Sequence, residues 1–421
     1  MELNKKSKRY LIASILIVII IISFFVIVNI KIGKKDSEKP NDSQEVNDVL
    51  INDFDYSFLK LEIGDSNLVY SPLSIKYALS MLREGANGNT KEELDTILPK
   101  ASLTKYDNIK DKLSLANSVF IKDTYKEFVN DSYLENIKEL YNAEVYYDEF
   151  ENGDKINDWI SEKTFHIING MISDEYFDNP NLEMILANAL AIDMEWSIPF
   201  EGEKTTSKEF TKSNGEKIKV AMMNQVTDST NFKYYQDDNY TLLSMPLKKY
   251  GETQLEFIAV LPQKESLHEF VTDYDFEKTL DNLFKKMHKV SLEKLSISIP
   301  RFQYDYSIKL ARDLNLLGVL DIFSPSKADF SKISNTGLYV SDILHKADIK
   351  FSERGVRAAA ATTIFVTDKA EINEPQKIEY LEFNKPFMYI IKDVNTDEVW
   401  FVGNVSDPLL WEDAKKDYEY R

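Results

Sequence analysis

The stretch SERGVRAAAATTIFVTDKAEINEP, residues 352–375, constrains the fold most, because two local rules assign it opposite structures. Its first half contains the unbroken run Ala358 to Ala361, and alanine is the strongest helix former. Its second half, residues 362–367, is rich in β-branched and aromatic side chains, which favour strands. The segment as a whole is therefore suited to neither structure alone.

A strand over residues 356–367 would have one face that can be buried, because alternate side chains of a strand point to opposite faces. Arg357 would lie on the other face, so its charge would not have to be desolvated. The buriable face is uncharged and mostly small: Val356, Ala358, Ala360, Thr362, Ile364 and Val366. A strand over these residues could therefore be buried on one face.

Composition limits the class of protein. A chain of 421 residues with 43% hydrophobic content can bury a large core. Its formal net charge of −19 opposes binding to nucleic acid or to anionic lipid through a general basic surface. Because the chain has no cysteine, disulfides, thiolate catalysis and cysteine-ligated zinc are excluded.

The N-terminus predicts a membrane anchor. Residues 11–30 carry no charge, and a helix of that length would span roughly 30 Å, the thickness of a bilayer core. No small-residue cleavage site follows, although a cleaved signal peptide and a secreted product remain the alternative. We expect a cytoplasmic segment (1–10), a single-pass span (11–30), a polar tether (31–48), an extracellular folded domain (49–411) and a polar tail (412–421).

The folded part reads as one α+β domain. SIKYALSMLREGA has a helical apolar stripe that stops at Gly85. QLEFIAVLP, KLSISIPRF and EVWFVGNVSDP have strand patterns. We find no internal repeat in the sequence.

The chain shows no motif of a catalytic or metal centre. Its four histidines, His166, His268, His288 and His345, lack the spacing of a helical zinc site, and nucleophile-elbow, phosphate-loop and dinucleotide motifs do not occur. The members of a Ser/His/Asp triad are brought together only by the fold, so the sequence alone can neither identify nor exclude a triad. We assign no catalytic residue, metal or cofactor.

A resemblance to the serpin family comes from motifs spread along residues 50–410. Glu353 followed by GVRAAAATT resembles the hinge of the serpin reactive-centre loop, and HKADIKF resembles the strand that leads into it. Further motifs follow the family's order: NLVYSPLSIKYALSMLREGANGNTKEE, LANSVF, INDWISEKT, LANALAIDMEWSIPF, IPRF, LGVLDIFSPSKADFSKIS, YVSDILHKA, FNKPF and FVGNVSDP.

This resemblance implies an α+β serpin fold, with helices around a large central sheet, in a bacterial, membrane-anchored member of the family. It also implies a monomeric, metastable inhibitor that traps a serine protease as an acyl-enzyme when its cleaved loop, about residues 354–369, enters the sheet. The alternatives are a non-inhibitory serpin with a carrier or structural role, or an unrelated surface enzyme or adhesin.

The resemblance also implies roles for individual residues. The hinge would comprise Glu353, Gly355, Val356, Arg357, Ala358, Ala359, Ala360, Ala361 and Thr362. The shutter, a polar cluster beneath the opening sheet, would comprise Ser71, Ser74, Asn188 and His345. The breach, where insertion begins, would comprise Trp196, Glu353 and Arg301, with Arg301 as the partner of Glu353.

Four positions depart from the family pattern. Phe165-His166 stands where asparagine-glycine is usual, which predicts a reshaped loop. Val356 replaces the commoner threonine or serine, and Arg357 replaces a usual glutamate. The last two keep the non-inhibitory alternative open.

The family's register from the hinge glycine places the reactive bond between Lys369 and Ala370. A lysine there favours a trypsin-like protease, and a subtilisin-like protease is a second candidate. Because the chain beyond Lys369 is longer than usual, Lys377 and the pair Phe365-Val366 are lesser candidates for the bait residue.

Overall fold

The computed structural model describes residues 54–100, 102–288, 293–356 and 377–414. They belong to one compact unit, Asn47–Arg421, and the preceding unit, Met1–Val46, lies outside them. The helices of the described part are α1 (54–62), α2 (Pro72–Gly85), α3 (Gly88–Ile97), α4 (Asp131–Tyr141), α5 (Asp154–Lys163), α6 (Leu267–Thr272), α7 (Phe276–Lys286) and α8 (Ala311–Leu316).

The strands follow in chain order, many of them between helices. They are β1 (Leu68–Tyr70), β2 (Leu113–Lys122), β3 (Glu144–Asp148), β4 (Met184–Ile192), β5 (Met194–Glu195), β6 (Thr206–Thr211), β7 (Lys217–Asp228), β8 (Lys233–Gln236), β9 (Tyr240–Pro246), β10 (Leu255–Pro262), β11 (Glu293–Pro300), β12 (Phe302–Lys309), β13 (Leu344–Ser352), β14 (Gly355–Val356), β15 (Lys377–Glu382), β16 (Phe387–Asp393) and β17 (Val399–Val405).

These strands form four sheets. A six-stranded sheet has the order β1-β17-β16-β10-β9-β8, and a four-stranded sheet has the order β15-β11-β7-β6. A second four-stranded sheet is ordered β12-β13-β14-β5, and β3-β2-β4 form a three-stranded sheet. The predicted α+β class is confirmed, as are the helix that ends at Gly85 and the strands β10, β11 and β17.

Helix α2 begins where the sequence places a strong start signal. The Ser71 hydroxyl accepts a hydrogen bond of 3.1 Å from the Ser74 backbone N–H, and Pro72 follows at the first helical position, where its missing N–H costs nothing. The helix packs against β4 and β17. It is thereby fixed beneath the three-stranded sheet.

Helix α5 covers the opposite face of the same sheet. Trp159 and Ile160 pack with Ala187 and Ala189 of β4, whereas Leu190 and Ile192 of β4 belong to the main core on the α2 side. The alternation follows from the period of two along a strand. Both faces of β4 are therefore covered.

The loop after α5 contains the Phe165-His166 pair. Both residues have positive φ, 55° and 60°. Asparagine and glycine adopt this region more readily than bulky residues. Phe165 and His166 thus take the backbone conformation that suits the pair the family usually has.

The prediction of a single-pass membrane protein with an extracellular domain needs correction. In the part of the chain that the structure describes, no helix is long and apolar enough to cross a membrane. The 14 residues of α2 span only about 21 Å, less than a bilayer core of roughly 30 Å. Residues 11–30, on which the prediction rested, lie outside the described residues.

Candidate functional site

The candidate site is a slot between β4 and β13. β14 bridges the slot at one end, here called the upper end, and is antiparallel to both neighbours: Gly355 pairs with Ser352 and Glu195, and Val356 pairs with Phe351 and Met194. Below β14, no strand among the described residues pairs with the facing edges of β4 and β13. At its upper end the slot is one strand wide, and a strand continuing from Val356 would run antiparallel to both edges.

Gly355 occupies a position that only glycine fits. A Cβ atom on this residue would lie 2.2 Å from the Met194 carbonyl oxygen and 2.7 Å from the Glu195 Cα. Both contacts are with backbone, which cannot rotate away. The next residue, Val356, is only 2% exposed, so the first side chain of the hinge faces the core.

Trp196 connects the upper end of the slot to the turn before β14. Its indole Nε1–H donates to the Ser352 carbonyl at 2.8 Å, and its backbone N–H donates to the Arg354 carbonyl at 2.8 Å. The ring packs edge-on against Phe351 and Phe257, with centroids 5.1 and 5.9 Å away. Trp196 therefore holds the turn against the core.

Glu353 lies in that turn, and its contacts with other elements include Arg301 and Thr205. Its Oε2 is 3.6 Å from Arg301 Nε, and its Oε1 accepts a 2.7 Å hydrogen bond from the Thr205 hydroxyl. The Arg301 side chain is 5% exposed and the Glu353 side chain 12%. The structure thus brings together the three residues expected at the breach, and adds Thr205.

The residues expected at the shutter form one hydrogen-bond network. The Ser71 N–H donates to His345 Nε2 at 3.0 Å, which links α2 to β13. The Ser74 hydroxyl donates to Asn188 Oδ1, which links α2 to β4. Asn188 Nδ2 donates to Asn117 Oδ1 at 2.7 Å and so extends the network to β2.

His345 is held in its neutral form. Burial lowers the pKa of its imidazole from 6.5 to about 4. Neutral Nε2 accepts a hydrogen bond from the Ser71 N–H. In the protonated ring Nε2 carries a hydrogen and can no longer accept this bond. Acid would therefore break the link between α2 and β13.

A cavity of about 450 Å³ lies within the slot, between β4, β13 and α2. Its floor is provided by α2 through the side chains of Ser71, Ser74, Ile75, Ala78 and Leu82. His345 and Asn188 line it from the two strands, while most other lining side chains are apolar. Such a space can accept a row of small or apolar side chains with one polar group near Asn188 and His345.

The far side of α2 carries a buried ion cluster. Lys76 Nζ is 2.7 Å from Asp55 Oδ1 and 2.5 Å from Glu398 Oε1, and Lys76 and Asp55 are 1% and 3% exposed. Burial raises the pKa of Asp55 to about 7 despite the nearby ammonium. Although burial opposes the charged amine, the two carboxylates raise the pKa of Lys76. We call these three residues the ion triad.

Several expected site residues fall outside the described part of the chain. These are Arg357, Ala358 to Ala361 and Thr362 of the hinge, and the reactive bond Lys369-Ala370. Of the lesser candidates, Phe365 and Val366 also fall outside, and Lys377 begins β15. Within the described ranges, no three His, Asp or Glu side chains gather closely enough to hold a metal ion.

Asn117, Thr205 and the ion triad were not anticipated from the sequence. Asn117 had a visible signal, because it is the one amide in the otherwise apolar or small segment LANSVF, and strand β2 is buried along almost its whole length. Its side chain also donates to the Tyr141 carbonyl at 2.8 Å. A polar residue in a buried strand must find such partners.

Comparison with known proteins identifies the fold. The family described as "Serpin (serine protease inhibitor)" matches residues 52–408. An "Uncharacterized serpin-like protein" of Methanosarcina mazei is 29% identical over 394 residues, which cover 89% of each chain.

Solved structures agree with the sequence matches. The thermophilic serpin Tengpin in its native state is similar with a TM-score of 0.72 and 29% identity, over 88% of this chain and 96% of that protein. Thyroxine-binding globulin in complex with thyroxine is similar with a TM-score of 0.69 and 26% identity, over 86% of this chain and all of that one.

Proposed function

The chain belongs to the serpin family, and we propose that it is an inhibitory serpin that traps a serine protease by inserting its cleaved loop into the slot. The observation that carries the proposal is β14. Its two residues already pair with both edges of the slot, and Val356 is buried. Strand addition from this start would require no change of register.

Continuing the register of β14 gives each following residue two neighbours. Thr362 would lie between Asn188 and His345, two of the polar residues that line the cavity. Arg357 would lie between Asp193 and Lys350, both half-buried, on the face opposite to Val356. The departure at Arg357 is then compatible with insertion, because the guanidinium has a carboxylate beside it and stays off the buried face.

The free energy gained from new backbone hydrogen bonds is large enough to drive insertion of the loop. Each new backbone hydrogen bond contributes ~0.5 to 1.5 kcal/mol net, so a strand of about ten residues gives on the order of 10 kcal/mol before the cost of ordering is subtracted. The native state is then metastable, held by a barrier.

The mechanism uses no catalytic residue of the inhibitor. A protease attacks the bait loop as a substrate and forms an acyl-enzyme. Cleavage frees the hinge, and insertion of about 14 residues at ~3.4 Å each carries the tethered protease roughly 50 Å. The pull distorts an oxyanion hole that depends on fixed donors, so deacylation stalls.

Lys369 is the bait residue that we favour, with Ala370 after the scissile bond. A trypsin-like protease accepts lysine in a pocket with a buried carboxylate, so it is the favoured target, and a subtilisin-like protease is second. The distance from hinge to bait is set by the length of strand that inserts, whereas the length beyond the bait is not. This asymmetry supports the register despite the long segment before β15.

Incubation with trypsin, and separately with subtilisin, tests the function. We expect a covalent complex that survives a denaturing gel, together with a released fragment beginning at Ala370 by mass spectrometry. Lys369→Glu should abolish the trypsin complex. Cleavage without any covalent complex for either protease would contradict inhibition, and a different new N-terminus would move the bait.

Val356→Arg tests the hinge. Residue 356 is already buried in β14 between Phe351 and Met194, so an arginine there should detach β14 from the slot before cleavage. Insertion would then lose its starting strand, and the protease should turn over the loop as a substrate. The measurement is the molar ratio of inhibitor to protease needed for full inhibition, which should rise several-fold. Val394→Arg, on an exposed valine away from the slot, is the matched control. An unchanged ratio for Val356→Arg would refute the assigned face.

Arg301→Ala tests the breach. Glu353 would keep a largely buried carboxylate without its cation, at a cost of a few kcal/mol. We expect the upper end of the slot to open on warming, with polymers or loss of activity detected by native gel and residual inhibition. Lys217→Ala removes an exposed lysine that pairs with the exposed Glu209 and should change neither readout. Equal behaviour of both variants would argue against a role for the pair.

A non-inhibitory role is the second candidate. Val356 and Arg357 depart from the usual hinge, and a protein with this fold is known in complex with thyroxine. Under this alternative the bait loop is cleaved without a covalent complex, and Val356→Arg changes no property of the cleaved protein.

A further inference from the structure

Three exposed apolar side chains lie on one face of the sheet β15-β11-β7-β6. Tyr380 is 65% exposed, Val226 58% and Ile378 41%. Ser296 of β11 pairs with Tyr380 on one side and Val226 on the other, so the three residues form one row across three strands. Ile378 lies on the same face of β15, two residues before Tyr380, in the neighbouring row that contains Lys294. We call Val226, Ile378 and Tyr380 the outer patch.

The outer patch is not explained by packing of the sheet. On the opposite face Leu295, Ile297 and Leu381 are 0% exposed, so the sheet already has its core side. The small side chain of Ser296 lies between the larger, exposed side chains of Tyr380 and Val226. This is the form of a docking surface, in which an apolar centre receives a partner's side chain.

A polar rim surrounds the outer patch. Lys294 Nζ donates to Asp228 Oδ1 at 2.6 Å in the row of Ile378. In the row beyond Ser296, Lys208 Nζ donates to the Ser298 hydroxyl at 2.9 Å, and that hydroxyl donates to Asn224 Oδ1 at 2.8 Å. Rim groups that are already paired need no partner in a complex, and they shield the centre from water.

We propose that the outer patch is a second contact surface for the protease, used while the bait loop occupies the protease active site. The proposal rests on the inhibitory function. The argument for this occupant is the chain itself: β15 begins at Lys377, eight residues after Lys369, and eight residues span at most about 27 Å. A globular domain of about 200 residues has a radius of gyration near 16 Å and so extends about 40 Å. A protease bound at Lys369 is therefore large enough to extend over the outer patch.

The surface of the protease that meets the outer patch should carry an exposed apolar side chain. Such a contact accelerates capture without altering insertion, because the patch lies on a different sheet from the slot. It also favours proteases with that side chain over others that accept lysine equally well. The patch would then set which enzyme is inhibited.

Tyr380→Glu and Val226→Glu test the proposal, with Tyr274→Glu and Val394→Glu as matched controls on exposed residues of the same types elsewhere. The measurement is the second-order rate constant for inhibition by each variant, with the inhibitor-to-protease ratio and thermal midpoint alongside. We expect the patch variants to be slower by about tenfold, the effect of roughly 1.4 kcal/mol, with an unchanged ratio and midpoint, and Tyr380→Phe to remain as fast as the parent.

The outcomes separate the two proposals. If the parent forms covalent complexes and all variants inhibit within twofold of it, the outer patch is not a protease contact and the inhibitory function stands. If the parent forms no covalent complex, the inhibitory function fails and the patch proposal with it. A parent dimer that Tyr380→Glu dissociates, seen by sedimentation, would assign the patch to a second copy of this chain instead.

Discussion

The two sides of helix α2 are held by different chemistry. Its slot side contacts β4 and β13 through neutral hydrogen bonds made by Ser71 and Ser74, and its far side holds Lys76 between two carboxylates. Lys76 lies about 140° around the helix axis from the residues that line the slot. Neutral hydrogen bonds to a cavity wall can be exchanged for others at small net cost, whereas a buried ion pair cannot be opened cheaply.

This difference suits a protein whose sheet opens over a fixed floor. Under the proposed insertion, the slot side must exchange its hydrogen bonds to β4 and β13 when a strand enters, and the far side must keep α2 in place while that happens. The ion triad ties α2 to α1 and to the segment before β17, neither of which lines the upper end of the slot. The comparison therefore predicts that substitutions on the far side lower the stability of the fold. Substitutions on the slot side should instead change how readily a strand enters the sheet.

Lys76→Met should give the largest effect. It leaves Asp55 and Glu398 buried without a cation, at about 3 to 5 kcal/mol, so the thermal midpoint should fall strongly. The inhibitor-to-protease ratio of the folded fraction should not change, because the triad does not face the slot. Lys60→Met, which breaks the more exposed pair with Glu277, is the matched control. A fall no greater than the control's would contradict the comparison.

A triple replacement sharpens the same test. Combining Lys76→Met with Asp55→Asn and Glu398→Gln removes all three charges, so no uncompensated ion remains in the core. The midpoint should recover a large part of the loss. If the triple variant is no more stable than Lys76→Met, the loss comes from packing and not from charge.

The pH dependence of stability should separate the two sides. The pKa of His345 is lowered from 6.5 to about 4, so its contribution is present above pH 6.5 and is lost as pH falls toward 4. The pKa of Asp55 is raised from 3.8 to about 7, so its contribution is present below pH 3.8 and is lost as pH rises through 7. Between pH 4 and 6.5 the two slopes oppose each other.

Single variants isolate each slope. Asp55→Asn should leave stability rising with pH in this window relative to the parent, and His345→Gln, which keeps a neutral acceptor, should leave it falling, each by at most about 1.4 kcal/mol per pH unit. Chemical denaturation of the three proteins at pH 4.5, 5.5, 6.5 and 7.5 measures both. Identical pH profiles for parent and variants would show that neither group titrates as its burial implies.

His345→Ala should give the smallest change in stability. The Ser71 N–H loses its acceptor, which costs about 1 to 3 kcal/mol, less if water enters the cavity. The distinguishing result is an increase in spontaneous loss of inhibitory activity on storage, because the link between α2 and β13 is gone. His268→Ala removes an exposed histidine and should match the parent in both measurements. Retained activity in His345→Ala would exclude control by this link.

The sequence predicts the fold well because its signals are local. The helical stripe that stops at Gly85 and the alternating strands each depend on neighbouring residues, and the structure has the expected elements at these positions. The ion triad is different. Lys76 meets Glu398 from 322 residues away, and nothing in the segment SIKYALS distinguishes a buried lysine from a solvated one.

The residues expected at the breach and the shutter were identified through the family resemblance. Their local sequence patterns alone would not have grouped them, because they lie far apart in the chain. Arg301 and Glu353 are far apart in the chain and meet only because β12 pairs with β13. Thr205 escaped attention for the same reason, since its hydroxyl reaches Glu353 from a loop before β6. The pairing of distant strands must be known before such contacts can be predicted.

The pairing of β1 with β17 has a consequence for the timing of biosynthesis. The Leu68 N–H donates to the side chain of Asn404, 336 residues later. Strand β1 therefore has no β17 to pair with until the final part of the chain has left the ribosome. At about 5 to 20 residues per second, that interval is roughly 20 to 70 seconds. The segments that form the slot are all made earlier, so a chaperone that covers exposed strand edges would be most useful to this chain during translation.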